Sequence, residues 1–227
     1  MVRYCISHDN ADSAMNNADG FAAKLTVGEG NSFVSCVAYN NADDGWDLFS
    51  KIETGAIEKV VVDKCVAYNN GVLSDGRSGG DGNGFKLGGD GIGVEHVLSN
   101  SIAFNNLSNG VTSNSNPKCK VENVISWNNW GYNITLYGKG DGERDYGLKN
   151  VISISGGGCD NILEEESLFS DNTYLWNGKE SVNLNGETID ESIFVSTEFS
   201  GFNITRDGID LNGFLSLKSG LGFSIDL

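Results

Sequence analysis

Five short segments of similar sequence recur in the first part of the chain and constrain the fold more than any other feature. Consecutive segments begin between 23 and 36 residues apart. The segments are Cys5–Asn10, Cys36–Asn41, Cys65–Asn70, Ser101–Asn106 and Val124–Asn129. Repeats of about 20 to 50 residues indicate solenoids, propellers or arrays.

Each repeat contains short β-branched or aromatic runs bounded by Gly, Asn and Asp, which is typical of strands and turns. The first 155 residues show no amphipathic helical period, and the only proline, Pro117, fits a turn. A propeller blade needs about 40 residues in every unit, so the shorter repeats favour coils of a solenoid. The sequence therefore predicts an all-β fold, a parallel β-helix.

Equivalent positions of the five segments form columns, because like residues of successive coils lie about 4.8 Å apart. The fourth position is aromatic or His in every segment and predicts a stack against the core; it contains His8, Tyr39, Tyr68, Phe104 and Trp127. The last position predicts an asparagine ladder that satisfies backbone groups at a turn; it contains Asn10, Asn41, Asn70, Asn106 and Asn129. We expect structural roles for these asparagines and for His8.

Composition narrows the possible partners. The formal net charge of −16 disfavours nucleic acids and anionic membranes, and no stretch is apolar enough to span a bilayer. Five cysteines without a CxxC pattern argue against a zinc site or a disulfide framework. We expect one domain and a monomer, with β-helix coils that carry the site over 1–155. Residues 156–227 should form further coils or a tail packed on the same β-helix.

Three short motifs define the candidate site: Asp19-Gly20-Phe21, Asp43-Asp44-Gly45-Trp46-Asp47 and Asn83-Gly84-Phe85-Lys86. Aligned on their glycines, and with Asn109-Gly110, they give a pre-glycine column made of Asp19, Asp44, Asn83 and Asn109. Side chains alternate along a strand. If the aromatic residue after each glycine points inward, Asp19, Asp44, Asp47 and Lys86 point outward, and Lys86 lies one coil from Asp47.

Clustered carboxylates repel one another unless a cation joins them, and their hard oxygens suit Ca²⁺. The residues alone leave a structural calcium site or solvated acidic turns open. Lys86 is a candidate general base if a cation lowers its pKa, and otherwise a salt-bridge partner of Asp47. The runs Gly79-Gly80-Asp81-Gly82 and Gly88-Gly89-Asp90 faintly resemble calcium-binding nonapeptide repeats but lack a nine-residue period.

At these motifs the chain resembles the polysaccharide lyase family 9 pectate lyases. The resemblance is strong over residues 5–110, looser to residue 155, and limited in the tail to Arg206-Asp-Gly and Phe214-Leu-Ser-Leu. It implies a right-handed parallel β-helix that cleaves polygalacturonate by β-elimination, with Asp19, Asp43, Asp44 and Asp47 as calcium ligands and Lys86 as the base. It also implies a secreted or periplasmic enzyme that acts on an acidic polysaccharide.

Family members have several coils before the first motif, whereas here Met1-Val2-Arg3-Tyr4-Cys5 leads directly into a coil without a signal peptide. We therefore expect N-terminal coils to be missing from this chain. The candidates for binding sugar carboxylates are Lys24, Arg77, Lys139 and Arg144.

Two other functions remain open. One is a calcium-containing, carbohydrate-binding or adhesin-like β-helix without turnover, which includes an inactive lyase fragment. The other is a polygalacturonase-type hydrolase, which would need two or three acids acting on water; the lysine of the third motif argues against it.

Overall fold

The computed structural model describes residues 1–139, 144–162, 170, 172–219 and 225–227. Short parallel strands stack coil upon coil on three faces, which confirms the predicted all-β parallel β-helix. The first face contains β1 (Val2–Arg3), β4 (Asn31–Val34) and β7 (Val60–Asp63). The second contains β2 (Ile6–His8), β5 (Val37–Tyr39) and β8 (Val66–Tyr68). Three longer strands extend over both faces: β10 (Val97–Phe104), β12 (Lys120–Trp127) and β14 (Gly147–Ile154).

The third face carries the motifs of the candidate site. Its strands pair in parallel in the order of the chain. They are β3 (Phe21–Ala22), β6 (Trp46–Asp47), β9 (Phe85–Lys86), β11 (Val111–Thr112), β13 (Ile134–Leu136) and β15 (Asn161–Ile162). Because β15 still pairs with β13, parallel pairing continues to residue 162. The boundary between residues 155 and 156 stays a prediction.

Residues in the left-handed region of backbone space turn the chain at two corners of each coil. Between the first and second faces, φ lies between 45° and 54° at Tyr4, Ser35, Lys64, Asn100, Asn123 and Asn150. Between the second and third faces, φ lies between 51° and 58° at Asp9, Asn40, Asn69, Asn105, Asn128 and Ser155. Asn and Asp tolerate this conformation better than most residues. The first residue of each Asn-Asn pair therefore turns the chain, and the second enters the ladder.

The asparagine ladder is confirmed. Each Nδ2 donates to the Oδ1 of the next ladder residue, at 2.7 Å from Asn10 to Asn41, 2.9 Å from Asn41 to Asn70, 2.9 Å from Asn70 to Asn106 and 2.8 Å from Asn106 to Asn129. Each Oδ1 also accepts the backbone N–H of the preceding ladder residue. The ladder thus satisfies buried backbone groups that the turn would otherwise leave unpaired.

Four of the five members of the aromatic column stack on one another, although His8 at its end is exposed. Ring centroids lie 4.7 Å apart for His8 and Tyr39, 4.8 Å for Tyr39 and Tyr68, and 4.9 Å for Tyr68 and Phe104. His8 is hydrogen-bonded through Nδ1 to the carboxylate of Asp9 at 2.7 Å. Of the aligned cysteines, Cys36 and Cys65 are buried and Cys5 is exposed.

The residues after the coils pack on the outer side of the second face. The ring of Phe199 lies 5.0 Å from that of Tyr68, and the ring of Phe214 lies 4.7 Å from that of Phe104. This part contains an antiparallel sheet, a 3₁₀ turn and a hairpin: β16 (Leu175–Trp176), β17 (Ser181–Val182), β18 (Thr188–Ile189), Glu191–Ile193, β19 (Asn203–Thr205) and β20 (Gly208–Asp210). No helix among the described residues is long and apolar enough to cross a membrane.

A carboxylate lies in the inward-facing column of the third face. Asp160 lies opposite Ile134, at the position that Trp46 and Phe85 occupy in earlier coils. Its carboxylate accepts the backbone N–H groups of Ile134 and Trp176, each at 2.8 Å. Burial raises the pKa of Asp160 to about 7, although these hydrogen bonds oppose the shift.

We expect Asn106→Ala to lower the free energy of unfolding by about 2–4 kcal/mol, because it leaves buried ladder and backbone groups without partners. The measurement is urea denaturation followed by circular dichroism. Asn185→Ala, at an exposed turn of the tail, is the control and should cost less than about 0.5 kcal/mol. Equal losses for the two variants would show that the ladder is not a special source of stability.

We expect Asp160 to make stability pH-dependent. Its folded-state pKa of about 7 exceeds the usual value of about 3.9, so the folded state binds the proton more tightly. This stabilisation is fully present below about pH 4 and is lost as the pH rises toward about 7. Between about pH 5 and pH 8, the wild-type protein should lose roughly 2–3 kcal/mol of unfolding free energy relative to Asp160→Asn. Parallel profiles in urea denaturation would contradict the assignment.

Candidate active site

The three motifs come together on consecutive coils of the third face. Pairing sets Phe21 beside Trp46 and Trp46 beside Phe85, with ring centroids 4.9 Å apart in both pairs. Trp46 and Phe85 are fully buried in the core. Side chains alternate along a strand, so the next position points away from that core and pairs Ala22 with Asp47 and Asp47 with Lys86.

The predicted site residues are more buried than an outward direction suggests. Asp43 and Asp47 are each 4% exposed, Asp44 is completely buried, and Lys86 is 8% exposed. The long turn between Asn70 and Asn83 contributes to this cover, because it brings Asp81 onto Lys86 and Asp43. The site is therefore a largely enclosed cluster of charges.

The pre-glycine column is a second ladder. Asp44 accepts the backbone N–H and the side-chain Nδ2 of Asn83 through Oδ1, both at 2.8 Å. Asn83 in turn accepts from Nδ2 of Asn109 at 2.7 Å, and Asp19 accepts from the backbone N–H of Asp44 at 3.3 Å. One oxygen of Asp44 thus holds the backbone in register, while Oδ2 faces the charged cluster.

Lys86 lies among three carboxylates. Its Nζ is 2.9 Å from Asp81 Oδ2, 3.0 Å from Asp44 Oδ2 and 3.9 Å from Asp47 Oδ2. Burial alone would lower the pKa of Lys86, but Asp44, Asp47 and Asp81 together raise it well above its usual range. These carboxylates favour the protonated ammonium of Lys86, and a base at this position would require the charge around it to change.

Lys24 joins the predicted ligands from the other side. Its Nζ donates to Asp19 Oδ2 at 2.7 Å and to Asp47 Oδ2 at 2.9 Å. Burial raises the pKa of Asp19 to about 6, although Lys24 opposes the shift. Burial likewise raises the pKa of Asp44 to about 7 against the influence of Lys86. The nearby lysines therefore do not fully offset the cost of burying the negative charges of Asp19 and Asp44.

The oxygen donors fit a hard divalent cation. One carboxylate oxygen from each of Asp19, Asp44 and Asp47 lies within 4.8 Å of the others, and a second group of the same kind joins Asp43, Asp44 and Asp81. Oδ1 of Asp47 is buried without a hydrogen-bond partner, and buried Oδ2 of Asp44 has only its ion pair with Lys86. Ca²⁺ takes several carboxylate oxygens in flexible geometry, so this donor set suits it.

Asp81 belongs to the cluster but was not among the predicted site residues. Its backbone N–H donates to Asp43 Oδ1 at 2.6 Å. The neighbouring Gly80 has φ +62°, and a Cβ there would lie 2.5 Å from Asp43 Oδ1, so the turn requires glycine. In the sequence, Asp81 belongs to the run Gly79-Gly80-Asp81-Gly82, but without a nine-residue period this run does not mark a calcium site.

The other cationic candidates lie outside this cluster. Arg77 is exposed and pairs with Asp75 at 2.8 Å. Lys139 is exposed and lies 3.3 Å from Asp90, and Arg144 packs beside Gly138. Lys24 contacts the predicted ligands Asp19 and Asp47.

Residues 1–146 match the family described as Pel9A-like, right-handed β-helix region. The chain belongs to this family. The Pel9A-like description agrees with the predicted resemblance and supplies the predicted hand of the β-helix.

Individual relatives agree with the Pel9A-like assignment. The chain is 47% identical over 192 residues to pectate lyase L of Thermoclostridium stercorarium, covering 84% of this chain and 16% of that protein. It is 46% identical over 222 residues to pectate lyase L of Paenibacillus polymyxa (strain SC2), covering 94% and 47%. The crystal structure of pectate lyase Pel9A superposes with a TM-score of 0.69 at 30% identity, covering 100% of this chain and 52% of that one. The chain thus spans about half or less of these proteins.

We expect Lys24→Met to lower the free energy of unfolding by about 1–3 kcal/mol in chelator-treated buffer, because it leaves Asp19 and Asp47 without their shared cation. Urea denaturation measures the change. Lys179→Met, an exposed lysine of the tail, is the matched control and should have almost no effect. A loss no larger than that of the control would mean that Lys24 does not compensate the buried carboxylates.

Proposed function

We propose that this chain carries the catalytic centre of a calcium-dependent lyase that cleaves polygalacturonate by β-elimination, with Lys86 as the base. The observation that carries the proposal is the position of Lys86. Its ammonium forms an ion pair with Asp44 Oδ2 at 3.0 Å and lies one coil from Asp47, whose Oδ1 is buried without a hydrogen-bond partner. A lysine beside a cation-binding cluster is the combination that an elimination from a sugar acid needs.

The proposed ligands are Asp19, Asp43, Asp44 and Asp47. Bound Ca²⁺ would offset their charge, lower the pKa of Lys86, and bind the sugar carboxylate to stabilise negative charge that develops on it. Among the chain's own groups, Asp44 is fixed by its bonds to Asn83, and Asp47 by its strand pairing with Lys86. The ligands are therefore positioned by backbone register before any substrate arrives.

Lys86 would remove the C5 proton of a galacturonate residue once its own proton has left. The electron pair of that C–H bond would form the double bond between C4 and C5, and the bond from C4 to the glycosidic oxygen would break. The leaving oxygen takes up a proton, and one product carries an unsaturated sugar. Lys86 is positioned for such transfer by its strand pairing in the β-helix, and its Nζ lies over the ring of Phe49, 6.0 Å from the centroid.

The proposal includes an acidic polysaccharide as partner and a secreted or periplasmic location. It also includes a monomer that binds neither nucleic acid nor membrane. The net charge of −16 supports the absence of nucleic-acid and membrane binding. Because of the same negative charge, a polyanionic substrate needs a cation to approach the cluster of carboxylates.

A calcium-containing carbohydrate-binding β-helix without turnover is the second candidate. It is favoured by one observation: the three carboxylates around Lys86 hold it protonated. If that protonation persisted in the loaded protein, the same site would bind a sugar carboxylate and leave the C5 proton in place.

We expect the protein to release unsaturated products from polygalacturonate in calcium, detected by ultraviolet absorbance of the new conjugated double bond. Lys86→Ala should reduce this rate by about 10²–10⁴-fold, as for loss of a general base, and chelator should abolish it. Lys179→Ala is the control for a lost surface lysine. Full activity of Lys86→Ala would disprove the assignment of the base, and calcium-dependent binding without absorbance would favour the second candidate.

A further inference from the structure

Two exposed aromatic side chains lie on the same corner of the β-helix as the carboxylates, farther along the solenoid. Trp130 is 76% exposed and Tyr132 is 39% exposed. Large apolar side chains grouped on the surface mark binding surfaces. Tyr and Trp suit such surfaces because their rigid rings offer a large contact area at a low cost in conformational entropy.

Tyr132 continues the pre-glycine column. Gly110 donates its N–H to the carbonyl of Tyr132 at 2.9 Å, just as Gly84 donates to the carbonyl of Asn109 at 2.8 Å. The backbone N–H of Tyr132 in turn donates to Asn109 Oδ1 at 3.0 Å. At about 4.8 Å for each coil, Tyr132 lies three coils, or roughly 14 Å, from Asp44.

The backbone of the next coil packs against the ring of Tyr132 and the main chain of Trp130. A Cβ at Gly158 would lie 2.9 Å from Cε1 of Tyr132, so only glycine allows the ring to pack so closely there. The backbone N–H of Gly157 bonds to the carbonyl of Asn129 at 2.8 Å, and that of Gly158 to the carbonyl of Gly131 at 2.8 Å. The turn that presents Trp130 and Tyr132 is therefore held on the coil below it.

The charge of the site region changes along this corner. The pre-glycine column begins with the carboxylates Asp19 and Asp44, continues with the amides Asn83 and Asn109, and reaches the aromatic Tyr132. A polyanion needs a cation at the carboxylates, because the chain has a net charge of −16. At the aromatic end, the apolar C–H face of a sugar ring can stack on Trp130 or Tyr132 while its carboxylate stays in water.

We propose that Trp130 and Tyr132 form a stacking subsite for a sugar of the acidic polysaccharide several residues away from the one that reacts. The identity of this polymer rests on the proposed function, whereas the subsite is argued from the shared corner and the exposed rings. The polymer then follows the solenoid axis along this corner. The subsite strengthens the binding of long chains without touching the reacting bond.

The test measures affinity for unmethylated galacturonan against chain length, in calcium and in a Lys86→Ala background that prevents turnover. We expect Trp130→Ala to raise the Kd for polygalacturonate by about fivefold to tenfold, in line with the loss of one aromatic contact. The Kd for short oligomers that reach only the carboxylates should stay unchanged. Tyr132→Ala should act in the same way, and Trp130→Phe should keep most of the affinity because it retains a ring.

Val195→Ala, which removes an exposed apolar side chain of the tail, is the control and should bind like the parent at every length. Equal Kd values for the parent and Trp130→Ala with the polymer would overturn the subsite, even if the protein is an active lyase. A length-dependent effect of Trp130→Ala, together with no elimination by the protein that keeps Lys86, would support the subsite and reject the lyase. Absence of polymer binding by the parent would overturn both.

Discussion

The in-register stacking of one coil on the next is the constraint on which the rest of this structure depends. Parallel pairing sets each residue beside its equivalent in the neighbouring coil, and the asparagine ladder fixes the corner where the chain could slip. Asp44 and Asn83 are 39 positions apart in sequence, yet a 2.8 Å hydrogen bond joins them. Because a one-residue slip would exchange the core and outer sides of a strand, the register that buries Trp46 also sets the position of Asp47.

The electrostatic properties of the charged site depend on this fixed backbone. A flexible surface would let Asp19, Asp44 and Asp47 separate and take up water, which removes most of their mutual repulsion. Here the backbone holds them together in a poorly solvated place, and Lys24 and Lys86 supply partial compensation. Burial raises the pKa values of Asp19 and Asp44, and the two lysines offset only part of this rise.

The parts of the molecule that repeat could be predicted from the sequence, and the parts that do not repeat could not. The ladder, the aromatic stack and the pairing of Asp47 with Lys86 all follow from columns of equivalent residues. Asp81 could not be placed, because it lies in a turn whose path depends on Gly80 and on contacts with Asp43. For the same reason, the burial of the site was not foreseen.

Two further differences have the same origin. Asp160 occupies an inward position after the repeated segments end, so no column marks it. Lys24 was expected near the site as a partner for sugar carboxylates, but its ammonium bonds to Asp19 and Asp47. The sequence shows which charged side chains could pair, but only the packed structure shows which of them form ion pairs.

The corner between the second and third faces varies in length while its two ends stay fixed. The ladder asparagine and the following strand keep their pairing whether the connection is short, as from Asn41 to Trp46, or long, as from Asn70 to Phe85. Insertions and deletions at this corner therefore do not disturb the core. The connection of one coil can therefore change its length and its surface residues while the strand pairing of the neighbouring coils stays the same.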